Sequence, residues 1–345
     1  MRQRLIDTAR ALVADGKGIL AIDESVGTCH KRFEALGIPQ TEEMRRSYRE
    51  LLIAAPGLSA FVSGMILFDE TLRQRDRGGT DFVSIMTSRA ILVGIKVDTG
   101  TVALPGTHDE KVTEGLDGLA KRIGEYARLG VRFAKWRAVF SVAVGKPSLR
   151  AIAANAHALA RYAAICQAAG IVPIVEPELL MEGSHTIATS ASATIGVLQR
   201  VFSELDEQGV LLEGLVLKPG MVLSGEHSAQ KSSAADVADN TLRVLTETVP
   251  SAVAGIAFLS GGQSSERATE NLDAVNRNGR YRTPWPITFS FGRALQQSAL
   301  EKWHGEAKNV ASAQALLVHR ARMNSLAARG QYTRAAESVG MTVRF

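Results

Sequence analysis

The chain has 345 residues, 46% of them hydrophobic and 22% charged, and its 40 Lys and Arg against 35 Asp and Glu give a net charge of +5. A chain of this length buries roughly three quarters of its unfolded surface without disulfide or metal staples, which excludes a small disulfide scaffold, a collagen, a coiled coil and a disordered protein. The basic excess is small and dispersed, so no nucleic-acid partner is expected and an anionic small substrate fits it.

Leu5, Ala9 and Leu12 form a helical stripe that predicts an N-terminal helix. Arg2 and Arg4 are accompanied by Asp7 and Asp15, against the acid-poor pattern of a transit peptide. No run of 18 apolar residues occurs, so neither a transmembrane helix nor a membrane partner is expected. The only cysteines, Cys29 and Cys166, cannot build a disulfide framework and suit a reducing, cytoplasmic setting.

Eight short apolar runs then follow as strand candidates: Gly18–Ile22, Phe61–Leu67, Ile91–Val97, Val131–Trp136, Ile171–Val175, Leu212–Leu217, Gly255–Leu259 and Pro286–Phe289. Amphipathic stretches separate them. Thr41 is placed to cap a helix with Glu42 and Glu43 in its first turn and Met44, Tyr48 and Leu51 on its buried stripe. Ser148 is placed to cap another that runs to a stop at Gly170 and buries Ile152, Leu159, Tyr162 and Cys166. Two domains or one large barrel are both allowed by length, but no linker or composition break divides the chain. Strands alternating with helices imply a parallel sheet, and eight repeats imply one (β/α)8 TIM barrel over 1–345, with an N-terminal helix and a C-terminal helical tail from about 330.

A polar residue closes nearly every strand candidate: Asp23, Lys96, Lys135, Glu176, Lys218, Ser260 and Ser290. From Lys96 onward they are 39, 41, 42, 42 and 30 residues apart, the spacing of βα units. In a barrel such strand ends converge on one face, where the active site lies.

Lys218 follows the apolar Gly214-Leu215-Val216-Leu217. Desolvation and a second ammonium, Lys135, favour a neutral amine there, able to attack a ketone and form an imine that draws electrons from a neighbouring C–C bond. The plainer alternative is a lysine that snorkels to solvent. Glu176 and Glu178 flank Pro177 and share one side of an extended chain, so one suits a general acid for carbinolamine dehydration. The alternative is a surface pair bound to arginines. Lys135 and Arg137 share the same two-residue spacing, which predicts an ion-pair layer between these strand ends. Asp23 is placed either to take a hydroxyl proton during C–C cleavage or to cap the following helix.

Ser260-Gly261-Gly262-Gln263-Ser264 and Ser290-Phe291-Gly292-Arg293 follow strands seven and eight, where barrels often hold phosphate. Ser25, Thr28, Lys31 and Arg32 after the first strand, with Lys96 at the end of the third, offer a second anion site. Each loop alone is also explained as a simple turn. Gly16-Lys17-Gly18-Ile19-Leu20-Ala21 precedes its strand and so is no dinucleotide fingerprint. None of the seven histidines ends a strand candidate or has zinc-protease spacing, so no metal and no cofactor is expected.

These residues carry a resemblance to class I, Schiff-base fructose-bisphosphate aldolase. It rests on Gly18-Ile19-Leu20-Ala21-Ile22-Asp23-Glu24-Ser25, Gly94-Ile95-Lys96-Val97-Asp98, Phe133-Ala134-Lys135-Trp136-Arg137, Ile171 to Glu178, Leu217-Lys218-Pro219, Phe258 to Ser264 and Phe289 to Leu295, in the family's order. The resemblance implies a barrel, usually a homotetramer, and metal-free reversible cleavage of fructose 1,6-bisphosphate to dihydroxyacetone phosphate and glyceraldehyde 3-phosphate, in glycolysis and gluconeogenesis. It implies that Lys218 forms the imine, Glu176 is the acid/base, Asp23 serves C–C cleavage, and Lys135, with Glu178 and Arg137 beside it, is the electrostatic partner. It assigns Ser260, Gly261, Gly262, Ser290, Gly292 and Arg293 to the ketose phosphate and Ser25, Thr28, Arg32 and Lys96 to the second phosphate. The chain ends in Met341-Thr342-Val343-Arg344-Phe345 where relatives commonly end in tyrosine, so proton exchange is expected to depend less on the tail. Phe291 and Gly220 replace a frequent tyrosine and asparagine without removing a group the chemistry needs. Another ketose phosphate, such as fructose 1-phosphate or sedoheptulose 1,7-bisphosphate, and a non-catalytic binding protein are the competing readings.

Overall fold

The computed structural model describes residues 1–339; the expectation for the tail at Met341–Phe345 lies outside the described residues. Its elements, in chain order, are α1 (Arg2–Leu12), β1 (Gly18–Ile22), α2 (Val26–Glu34), α3 (Glu42–Ile53), β2 (Val62–Leu67), α4 (Asp69–Arg73), α5 (Phe82–Ser88), β3 (Leu92–Lys96), β4 (Gly100–Ala103) and β5 (Lys111–Glu114). There follow α6 (Leu119–Arg128), β6 (Phe133–Phe140), α7 (Leu149–Ala168), β7 (Val172–Leu179), α8 (Ile187–Glu207), β8 (Val216–Leu217), α9 (Ala234–Thr248), β9 (Gly255–Phe258) and α10 (Ser265–Arg277). The last are β10 (Ile287–Phe291), α11 (Arg293–Trp303), α12 (Val310–Ala328) and α13 (Arg334–Val339). Eight parallel strands close a barrel in the order β1-β10-β9-β8-β7-β6-β3-β2, as the eight apolar runs predict.

Side-chain alternation divides the interior in two. Ile19, Ala21, Ile66, Phe133, Val172, Ile174, Val216 and Ala257 fill the barrel, joined by Leu5, Ala9 and Leu12 of α1, which plugs its N-terminal end. Leu20, Ile22, Ala134, Trp136, Val175 and Leu217 point outward and pack with the helices. Gly94 lacks a side chain because the Phe133 ring fills that space; a Cβ there would lie 2.2 Å from it. The expected caps form. Thr41 Oγ1 accepts from Met44 N–H and Ser148 Oγ from Ala151 N–H, and Gly170 adopts φ +73 just beyond α7. Met44 is only half-buried, while Tyr48 and Leu51 are fully buried.

Three expectations need correction. Strands β6 and β7 continue to Phe140 and Leu179 and β10 to Phe291, so Lys135, Glu176 and Ser290 stand within strands and not at their ends. The backbone ladder persists because the charged side chains point inward and pair with one another, so the apolar pattern stops before the strand does. The Leu212–Leu217 run instead forms a 3-10 turn at Leu212–Gly214 and a two-residue strand, because the Gln167 amide bonds Leu211 N, Leu211 O and Gly214 O. The hairpin β4–β5 is antiparallel and was not expected; its residues are largely exposed and carry no core-facing alternation.

Candidate active site

The inward-facing positions change character along the strands. Phe133 is followed at the two-residue step by Lys135 and Arg137, and Val172 and Ile174 by Glu176 and Glu178. Val216 is followed by Lys218, and Ala21 by Asp23. The pleat therefore delivers these side chains to the C-terminal mouth of the barrel. They line one cleft of about 240 Å³ with Leu259, Ser260, Gly261, Gly262, Gln263, Ser290, Gly292 and Arg293. Wider hollows elsewhere, of about 660 Å³ at the α1 end and about 560 Å³ around Arg4 and Arg132, gather no comparable set of ionisable groups.

Lys135, Glu176 and Lys218 are 4%, 4% and 3% exposed. Their charges form a continuous chain. Lys218 Nζ lies 3.3 Å from Glu176 Oε1, and Lys135 Nζ lies 3.2 Å from Glu176 Oε2 and 2.7 Å from Asp23 Oδ2. The Lys135–Glu176 contact is an ion pair without hydrogen-bond geometry, so Glu176 Oε2 keeps free acceptor capacity. Arg137 Nε pairs with Glu178 Oε2 in the next layer, which realises the ion-pair layer between these strands.

Burial acts to raise the Asp23 carboxyl pKa, but the charges of Lys135, Lys218 and Lys96 outweigh it and hold the group below the usual carboxylate range. Burial likewise acts to lower Lys135, and Asp23, Glu176 and Asp98 push it up instead. Lys135 therefore stays a fixed cation between two carboxylates.

Another wall of the cleft is a glycine turn beside Ser290 and Arg293. Gly262 takes φ +71, and a Cβ there would meet Met181 Sδ at 2.6 Å; a Cβ at Gly261 would meet Glu178 Oε1 at 2.5 Å. The positive φ of Gly262 is what favours glycine in this turn. Ser290 Oγ is buried and has no hydrogen-bond partner among the described residues, a donor left for a ligand. Arg293, exposed, opens α11 beside it.

The second set of expected anion-binding residues lies next to this cleft, on the segment that follows Asp23 and at the end of β3. Ser25, and not Asp23, caps α2, its Oγ accepting from Thr28 N–H at 3.4 Å. Lys31 is exposed on the last turn of α2, and its side chain makes no hydrogen bond or ion pair with any described residue. Arg32 is held by Glu24 at 2.5 Å, and Lys96 by Asp98 at 2.6 Å. Leu259 and Gln263 line the cleft, and Asp98 and Glu24 hold Lys96 and Arg32; the sequence reading gives Leu259, Asp98 and Glu24 no role of their own. Asp98 was within reach, since Lys96 and Asp98 repeat the two-residue spacing of Lys135 and Arg137. No group of three or more His, Cys, Asp or Glu among the described residues is arranged to hold a metal, and no helix among them is long and apolar enough to cross a membrane.

Comparison with known proteins agrees with this geometry. The family model described as fructose-bisphosphate aldolase class-I matches residues 4–344. A protein of Xanthomonas campestris pv. campestris named probable fructose-bisphosphate aldolase class 1 is 50% identical over 331 residues, covering 96% of this chain and 98% of that one. The fructose-bisphosphate aldolase of Dictyostelium discoideum is 49% identical over 339 residues, covering 97% and 94%. The Plasmodium falciparum fructose-bisphosphate aldolase, solved in a ternary complex with TRAP and a small-molecule inhibitor, superposes with a TM-score of 0.94 at 50% identity, covering 96% and 95% of the two chains.

Proposed function

Since the chain belongs to the class I fructose-bisphosphate aldolase family, we propose that it cleaves fructose 1,6-bisphosphate reversibly to dihydroxyacetone phosphate and glyceraldehyde 3-phosphate through an imine on Lys218. The observation that carries this reading is the buried chain Lys218–Glu176–Lys135–Asp23.

Its first step is a proton transfer. At 3.3 Å, Glu176 takes the proton of the Lys218 ammonium, which converts two buried charges into a free amine and a carboxylic acid. The amine attacks the substrate ketone, and Glu176 returns the proton to the carbinolamine hydroxyl, which leaves as water. The protonated imine then accepts the electron pair of the adjacent C–C bond as Asp23 removes the proton of the hydroxyl that becomes the aldehyde. The held ionisation of Asp23 supports that role. Lys135 stays charged throughout and stabilises both carboxylates in their changing protonation states. The enamine left on Lys218 takes a proton at carbon, and water releases the second product and the free lysine.

The glycine loop at Gly261 and Gly262, with Ser260, Ser290, Gly292 and Arg293, supports binding of the ketose phosphate, and Ser25, Thr28, Arg32 and Lys96 of the second. Borohydride trapping with dihydroxyacetone phosphate, followed by peptide mapping, tests the proposal. A stable adduct on Lys218 is expected; absence of any lysine adduct on folded protein that binds the ligand overturns it. Lys96→Ala tests the substrate: losing one charge-assisted phosphate contact is expected to raise KM for the bisphosphate about tenfold or more and affect fructose 1-phosphate far less. Equal losses on the two substrates overturn the assignment of the second phosphate to Lys96.

A further inference from the structure

We propose that Glu24 is a positioning residue that sets the preference for bisphosphate over monophosphate substrates by holding Arg32 ready for the second phosphate. This inference rests on the function proposed above. Glu24 follows Asp23 at the end of β1 and is gripped from three other elements. Arg32 of α2 donates to Oε1 at 2.5 Å, Arg49 of α3 to Oε2 at 2.9 Å, and the Gln296 amide of α11 to Oε1 at 2.9 Å. Gln296 is itself fixed. Its Nε2 also donates to Ala21 O at 2.5 Å, and its Oε1 accepts from Tyr48 at 2.9 Å and from Arg32 at 3.1 Å.

Three features of this cluster point to a ligand. Two arginines share one glutamate, so the cluster keeps one net positive charge. Arg32 Nε is buried and has no hydrogen-bond partner among the described residues, so the guanidinium is tied down yet retains an unspent donor. Arg32 also stands four residues after Thr28, on the same face of α2 and about two turns from the Ser25 cap. Burial acts to raise the Glu24 carboxyl, but Arg49 and Arg32 hold it below the usual range, so the anchor is charged at neutral pH.

Without that anion Arg32 and Arg49 repel each other, and Arg32 must be reordered each time a phosphate binds. Preorganisation of this kind is read in KM for the substrate that uses Arg32, and not in the chemistry at Lys218. A merely structural clamp of α2 and α3 onto the barrel would lower activity on every substrate alike.

The test measures kcat and KM for fructose 1,6-bisphosphate and fructose 1-phosphate with the wild-type chain, Glu24→Gln and Glu24→Asp. In Glu24→Gln the ratio of kcat/KM between bisphosphate and monophosphate is expected to fall about tenfold, carried by KM of the bisphosphate, with partial recovery in Glu24→Asp. Equal losses on both substrates, or an unchanged ratio, overturn the inference. Should Glu24→Gln fail to fold, the charge-balanced Glu24→Gln/Arg49→Met variant removes the same anchor and is expected to show the same fall. If the wild-type chain cleaves neither substrate and traps nothing, the proposed function fails and takes this inference with it. If it cleaves both and traps on Lys218 while the ratio holds, this inference alone fails.

Discussion

Replacing Lys218 with Met is expected to lower kcat/KM for fructose 1,6-bisphosphate by roughly 10⁵- to 10⁶-fold, the size of loss seen when a covalent nucleophile is removed. The barrier then lacks its electron sink, because no other buried lysine can substitute. Lys135 is spent on Asp23 at 2.7 Å and Glu176 at 3.2 Å, and its proton is held there against burial. Met fills a comparable volume, and Glu176 keeps Lys135 as its cation, so the fold is expected to survive with a melting temperature within a few degrees of the wild type. Activity of Lys218→Met above about 1% of wild type, a loss far smaller than nucleophile removal gives, would place the imine elsewhere.

Lys135→Met is expected to strike stability as well as rate. It leaves Asp23 and Glu176 without their shared cation, and stripping one partner from a buried ion pair typically costs about 3–5 kcal/mol. The rate is expected to fall about 10²- to 10³-fold, as when one preorganised electrostatic contact is lost. The stability loss carries a pH signature. Asp23 has a folded pKa below its ordinary value of 3.8, so its stabilisation is fully present above that value and fades as pH falls through the lower folded value. Lys135 is raised above 10.5, so its contribution is fully present below 10.5 and is lost only at higher pH. The gap between wild type and Lys135→Met is therefore expected to be widest between about pH 5 and 10 and to shrink in acid. Denaturant unfolding at a series of pH values checks this; a gap that stays constant into acid would show that Lys135 acts through packing and not through its charge.

Much of the cleft was legible because barrel geometry converts sequence spacing into position. Asp23, Lys135, Glu176 and Lys218 each stand at the end of an apolar run, and a charge there is costly unless used. The two-residue steps Lys135–Arg137 and Glu176–Glu178 gave the facing ion pairs. Strand length was harder to read, because inward charges pair across β6 and β7 and keep the ladder going to Phe140 and Leu179 after the apolar pattern ends. In the hairpin β4–β5 Thr113 alone is buried, so no alternation in its residues announced it.

The amino-acid sequence by itself determined the eight strands, the helices that Thr41 and Ser148 cap, and the identity of the buried ionisable groups, because apolar periodicity, capping chemistry and the expense of a desolvated charge are local properties of the chain. Only the tertiary structure decided the pairings beyond the β6–β7 layer. Glu24 and Gln296 are 272 residues apart yet share a hydrogen bond, and Arg32 is bound to both. Closing β1 against β10 brings these groups together. Pairings of that kind depend on where the barrel seals, which no local pattern encodes, and they separate an arginine that is merely basic from one fixed in a single place.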